Sequence, residues 1–133
     1  VVVGEPLANL LPTAALAFRG YNQTNLGRTP ELLSLPAYRP ILESRLAEAS
    51  RLCSEATGRS VDLLARVATR SEPGLDAYAE AIALVFAAEL AQLDLLREVH
   101  AIEPRGARAA FGYSLGELTA VIASGIYPLD AVM

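Results

Sequence analysis

Ala107-Arg108-Ala109-Ala110-Phe111-Gly112-Tyr113-Ser114-Leu115-Gly116-Glu117-Leu118 passes from a small, apolar segment through Gly-x-Ser-x-Gly into a helical pattern. Ala107–Gly112 reads as a buried strand. Leu115–Ser124 reads as a helix that Gly125 stops. A serine between strand and helix in this pattern sits on a turn so sharp that its backbone is strained. Small residues two positions to either side let strand and helix approach. The hydroxyl is then exposed at the strand's C-terminal end, over a helix N-terminus where negative charge is favoured. Ser114 is therefore a candidate nucleophile, and the Leu115 N–H a candidate oxyanion donor. The bare pattern is weak; its strand–turn–helix setting gives it weight. The alternative is a glycine-flanked turn carrying a solvated serine.

The rest of the chain supplies a matching frame. Ala14–Phe18 is a short apolar run closing on Arg19-Gly20, which reads as a buried strand with helix as the competing assignment. Residues 20–36 are rich in glycine, asparagine, threonine and proline and read as loop, with a helical turn near Pro30. A helix is expected over about Pro40–Thr57, with Leu42, Leu46, Ala49, Cys53 and Ala56 on one face and Gly58 as its stop. A shorter helix follows, with Ser60 as its expected cap and Leu63, Leu64 and Val67 as apolar positions. The longest helix, about Leu75–Val99, is apolar on nearly every side from Ala81 to Ala91, Glu89 excepted, so it is expected to be buried all round. Residues 100–106 read as a turn, and Pro128-Leu129-Asp130 as the start of a further element. Strands separated by helices imply parallel pairing, hence an α/β fold with a partial parallel sheet flanked by helices. Ala14–Phe18 and Ala107–Gly112 are expected as neighbours in it.

Composition narrows the function. The 133 residues are 53% hydrophobic and 20% charged, which suits a packed core. Eleven basic residues, all arginine, against fifteen acidic ones give a net charge of −4. That balance argues against a nucleic-acid surface and against a polybasic membrane surface. One cysteine, Cys53, and one histidine, His100, leave no internal disulfide and no multi-histidine or cysteine-rich metal site, so no metal is expected. No run approaches the roughly 20 apolar residues of a membrane span, and the N-terminus lacks a basic region ahead of an apolar one. Asn22-Gln23-Thr24 matches a glycosylation triplet of a kind common by chance. The expected compartment is cytoplasmic.

Gly112-Tyr113-Ser114-Leu115-Gly116-Glu117-Leu118 resembles the Gly-His-Ser-x-Gly-Glu motif of the malonyl-CoA:acyl-carrier-protein transacylase family, which includes the acyltransferase domains of fatty-acid and polyketide synthases. Three further stretches fall in the same order. Leu16–Gly20 with Gly27 resembles the family's first strand and Phe-Pro-Gly-Gln-Gly loop. Tyr78–Ala81 and the helix after it resemble the helix that opens with Gln-Pro-Ala. Ser124–Ala131 resembles the segment after the serine helix. The similarity runs from about Ala14 to Met133 and is specific in the serine motif.

The resemblance implies the first part of an α/β-hydrolase-like large subdomain. It also implies an enzyme that moves an acyl group, malonyl among the candidates, from coenzyme A to the thiol of an acyl carrier protein. The acyl group rides on Ser114, with Leu115 and Tyr21 N–H groups holding the oxyanion. Departures from the family pattern, Tyr113 for histidine, Asn22 for glycine and Glu80 for glutamine, mark those three residues as acyl-pocket candidates; Arg19 and Tyr21 also depart from the loop pattern. Acyl-CoA enters as substrate, with no tightly bound cofactor expected.

A serine nucleophile needs a base near neutral pH. His100 precedes the strand and Ser114 follows it, and at about 3.3 Å per residue they lie roughly 20 Å apart, so His100 reads as a solvated turn residue. In the family the catalytic histidine, the arginine that clasps a malonyl carboxylate and a ferredoxin-like subdomain all follow the serine helix. The resemblance therefore makes residues 1–133 the N-terminal portion of an acyltransferase domain, completed by the rest of its own polypeptide. Two alternatives stand: a serine esterase or thioesterase using the same elbow with water, and a non-catalytic acyltransferase-like binding protein. Bland readings fit other residues: Glu117 complements the helix dipole, Cys53 is core, Tyr38 and Tyr78 pack, and the arginines at 45, 51, 59, 66 and 70 are solvated.

Overall fold

The computed structural model describes residues 6–128, so the expected element at Pro128-Leu129-Asp130 lies outside the described residues beyond its proline. The described residues form a mixed α/β structure with six helices and a two-stranded parallel sheet. In chain order these are α1 (Leu7–Leu10), β1 (Ala15–Phe18), α2 (Thr29–Ser34), α3 (Arg39–Thr57), α4 (Leu63–Ala68), α5 (Tyr78–Glu98), β2 (Ala109–Gly112) and α6 (Gly116–Ala123). Tight single turns at Leu11–Thr13, Leu75–Ala77 and Pro104–Gly106 link them.

β1 and β2 pair in parallel, with Ala15 opposite Ala109 and Phe18 opposite Gly112, as the β–α–β order requires. The pairing overruns the strands, since Arg108 N–H donates to Ala14 O at 2.9 Å and Tyr113 N–H to Phe18 O at 3.1 Å. The strands are not buried on both faces, contrary to the sequence expectation. Leu16, Phe18, Ala110 and Gly112 face inward, while Ala15, Ala17, Ala109 and Phe111 are exposed. A run such as Ala-Ala-Phe-Gly has no polar residue to reveal this alternation.

α3 matches its pattern. Leu42, Leu46 and Cys53 are buried, and Gly58 at φ 67° closes the helix by donating to Ser54 O. Ala56, at the end of the expected face, is exposed, because the chain has already turned toward α4. That turn is fixed by two serines on α3: Ser54 Oγ accepts from Val61 N–H at 3.0 Å and Ser50 Oγ from Leu63 N–H at 2.9 Å. Asp62, not Ser60, caps α4, its carboxylate accepting from Ala65 N–H at 2.9 Å. Both residue types cap well, but Asp62 is the one immediately before the first helical residue.

α5 is the central beam. Ala81, Leu84, Val85 and Ala87–Ala91 are buried. One side meets α3 and α4 through Leu42, Leu46, Leu63, Val67, Leu84, Ala87 and Ala91. The other meets the sheet and α6 through Leu16, Phe18, Leu90, Leu93, Ile122 and Ala123. Leu84 is fully buried between the helices. Leu84→Ala is expected to cost about 2–5 kcal/mol in chemical denaturation, the usual range for opening a cavity in such a place.

Two arginines expected in solvent instead tie helices together. Arg45 on α3 donates to Asp94 on α5 at 2.6 Å, and the paired carboxylates hold its already high pKa higher still. Arg66 on α4 pairs with Glu80 on α5. Their partners lie 49 and 14 residues away, beyond the reach of helical spacing. Cys53 is buried as expected, and burial pushes its thiol pKa up.

Candidate active site

Ser114 occupies the turn from β2 to α6 with φ 56°, a left-handed conformation unusual for a residue with a side chain. Three glycines make that turn possible. A Cβ on Gly112 would overlap the Gly116 carbonyl, and one on Gly116 would overlap the Phe18 carbonyl. A Cβ on Gly20 would lie 2.6 Å from Tyr113 O and 3.2 Å from Ser114 Cβ. Strand, elbow, helix and the loop after β1 thus meet with no room for side chains among them. Gly112 and Gly116 were legible from the motif. The close approach of Gly20 was not, because it joins segments over ninety residues apart.

The contact brings the loop of Tyr21 against the elbow. Tyr113 N–H donates to Phe18 O, and Gly20 lies on Tyr113 and Ser114. The elbow's next amides turn inward into α6: Gly116 N–H donates to Tyr113 O and Glu117 N–H to Ser114 O. Among the described residues neither the Leu115 N–H nor the Tyr21 N–H donates to a protein acceptor. Ser114 itself is exposed. Two unengaged donors beside an exposed, strained serine have the composition of an oxyanion site.

The other candidates divide. Tyr113 projects into solvent at 82% exposure, next to Ser114. The Tyr21 ring packs edge-on against the half-exposed Tyr78, ring centres 4.8 Å apart, and the two make an aromatic rim on the loop. Asn22 is part of the loop's own scaffold: its N–H donates to Asn25 Oδ1 at 3.0 Å, and its carbonyl accepts from Asn25 Nδ2 at 2.6 Å. Glu72 accepts from the Asn25 and Leu26 N–H groups and anchors that loop to the segment before α5. Glu80 is held by Arg66. Among the described residues no hydrogen bond joins Asn22 or Glu80 to Ser114.

His100 is exposed and engages Tyr38, its Nε2 2.6 Å from the tyrosine hydroxyl. It is therefore a partnered residue rather than a free turn histidine, and no hydrogen bond joins it to Ser114. Both line a cleft of about 760 Å³ beside β1 and α5, which also reaches Phe18, Arg19 and Glu89; Ser114 is not part of its lining.

Glu89 is the group that sequence reasoning passed over. It is buried on α5, and Thr119 Oγ1, fully buried on α6, donates to its Oε2 at 2.5 Å. Burial pushes its pKa above the ordinary carboxylate range, against the Thr119 hydrogen bond and the nearby Arg19 N–H and guanidinium, which lower it. The Arg19 guanidinium is itself spent on the Gly20 and Thr24 carbonyls; Arg28 and His100 line the same cleft, and α6 offers only the neutral Thr119. Where pH lies between the ordinary range and the raised value, the folded chain holds a proton that the unfolded chain has released. Stability contributed by Glu89 is thus lost as pH rises through that window. Glu89→Gln is expected to flatten the corresponding fall in Tm, and an unchanged pH profile would show that the carboxyl does not titrate there.

No family model, curated protein or solved structure matches the chain. Among the described residues no cluster of histidine, cysteine and carboxylate side chains is arranged for a metal ion, and no helix is long and apolar enough to cross a membrane.

Proposed function

We propose that the chain carries the nucleophile and oxyanion donors of a serine acyltransferase that passes an acyl group from coenzyme A to a carrier-protein thiol. The observation that carries this reading is Ser114 at φ 56°, exposed on a turn whose flanking Gly112 and Gly116 have no room for a Cβ, beside the unengaged N–H groups of Leu115 and Tyr21. The finer assignment, to the first part of an α/β-hydrolase-like acyltransferase subdomain, rests on the ordered resemblance of the serine motif, the loop after β1 and α5.

In this reading Ser114 Oγ attacks the thioester carbonyl as a base removes its proton. The tetrahedral oxyanion forms toward Leu115 and Tyr21 N–H, and coenzyme A leaves as its thiol. A carrier-protein thiol then attacks the acyl-serine and restores the hydroxyl. The proposed base is a histidine contributed from the polypeptide beyond Met133, where the family has it. Tyr113 and the Tyr21–Tyr78 rim flank the entering thioester and are the proposed determinants of acyl choice, with Asn22 and Glu80 acting through the loop and the head of α5. Incubating the full-length protein with short, long and carboxylated acyl-CoAs and weighing it intact tests the reading. A mass increase of one acyl group supports it; an unmodified protein across the panel favours a non-catalytic binding role.

A further inference from the structure

We infer that the cleft between β1 and α5 is a binding site for a long-chain carboxylate, separate from the Ser114 elbow. The cleft encloses about 760 Å³, within the roughly 300–1,000 Å³ usual for small-molecule sites. Leu16 and Phe18 of β1, Leu26 and Leu32 of the segment after it, and Val85 and Leu96 of α5 give it apolar walls. Val85, Glu89, Gln92 and Leu96 line it at spacings of four, three and four residues, so it runs about 16 Å along one face of α5. A compact ligand would leave much of that length empty; an extended hydrocarbon chain fills it.

Beyond Leu96 the lining turns polar. His100 Nε2 lies 2.6 Å from the Tyr38 hydroxyl, and both residues line the cleft. If the tyrosine donates, the Nδ1–H is left over; if the ring donates, the tyrosine proton is left over. Either way the pair keeps one donor for an acceptor in the cleft. His100 is held there by the turn that closes α5, with Ala101 at φ 52° and Ile102 N–H donating to Leu96 O at 2.7 Å. Charge favours an anionic acceptor. Arg28 is balanced by Glu31, whereas the Arg19 guanidinium donates to the neutral carbonyls of Gly20 and Thr24 and keeps its charge. The acidic residue of the lining, Glu89, stands about 10 Å along α5 from Leu96, away from the Tyr38–His100 end. Its raised pKa weakens its opposition to an anion. A carboxylate at Tyr38 and His100, its chain laid along α5 toward Val85, meets a donor at its head and apolar walls along its tail.

The test is calorimetric titration of the full-length protein with dodecanoate, decanoate, dodecan-1-ol and dodecyltrimethylammonium, each below its micellar concentration. Dodecanoate is expected to saturate one site and to bind about 15-fold tighter than decanoate, the effect of two buried methylenes. It should bind about tenfold tighter than the alcohol, which lacks the charge, and tighter still than the cation. Tyr38→Phe should weaken dodecanoate about fivefold by removing one hydroxyl. Gln92→Glu, at an exposed position of α5 that lines the cleft, should weaken it at least tenfold with Tm unchanged. Ser114→Ala should bind as the parent does, because Ser114 is not in the lining. That arm keeps the inference apart from the acyl-serine reading, which this titration leaves untouched. Absence of saturable binding, the result if another part of the polypeptide fills the cleft, would overturn the inference. So would parental affinity in both Tyr38→Phe and Gln92→Glu, a preference for the cation, or loss of binding in Ser114→Ala, which would put the ligand at the elbow.

Discussion

Ser114→Ala is expected to abolish the acyl adduct and the transfer while leaving the fold intact. Replacing a serine nucleophile removes the group that forms the covalent bond, and comparable losses run to about 10⁴-fold or more in turnover. The hydroxyl is exposed and contributes little to packing, so the Tm should barely move. Ser114→Gly separates chemistry from strain. The φ of 56° imposes a penalty on any residue with a Cβ, and glycine is free of it. Ser114→Gly should therefore be equally inactive yet more stable, by about 1 kcal/mol or roughly 3–6 °C in Tm. A strained residue retained at a cost in stability is what a functional turn requires. An adduct that persists in both variants would mean another residue is the nucleophile. An adduct that forms on the parent and is lost to water as fast as to a carrier thiol would turn the assignment toward a thioesterase.

The parts of the site legible in the sequence are those whose signals are local. Gly112, Ser114 and Gly116 lie within five residues, and their spacing encodes the turn. The face of α3 repeats every three to four residues, and Leu42, Leu46 and Cys53 obey it. Local signals fail where partners come from distant segments. Glu89 looked like a lone interruption of an apolar helix because Thr119 stands 30 residues away and carries no charge to betray the pairing. Arg45 and Arg66 looked solvated because an arginine on a helix face reads the same whether water or Asp94 faces it. Gly20 read as a turn glycine, although its role is to let a loop touch the elbow. The helix at Leu7–Leu10 is too short to show any period.

Gly116→Ala and Gly112→Ala are expected to have the largest effects on folding, each costing about 3 kcal/mol or more. Overpacking usually costs about 1–3 kcal/mol because side chains can shift to make room. Here the obstacles are backbone atoms. A Cβ on Gly116 meets the Phe18 carbonyl and lies 2.8 Å from Arg19 O, and one on Gly112 meets the Gly116 carbonyl and the Glu117 nitrogen. Relief requires strand and helix to separate, which would break the Tyr113–Phe18 and Gly116–Tyr113 hydrogen bonds and open the inner face of the sheet. Gly27→Ala is the control. That glycine has φ 52° with nothing near its Cβ position, so alanine brings only conformational strain, about 1–2 kcal/mol. Urea unfolding of the three variants distinguishes the causes. If Gly116→Ala and Gly112→Ala cost no more than Gly27→Ala, strand and helix are not in backbone contact, and the elbow assigned to Ser114 lacks its structural basis.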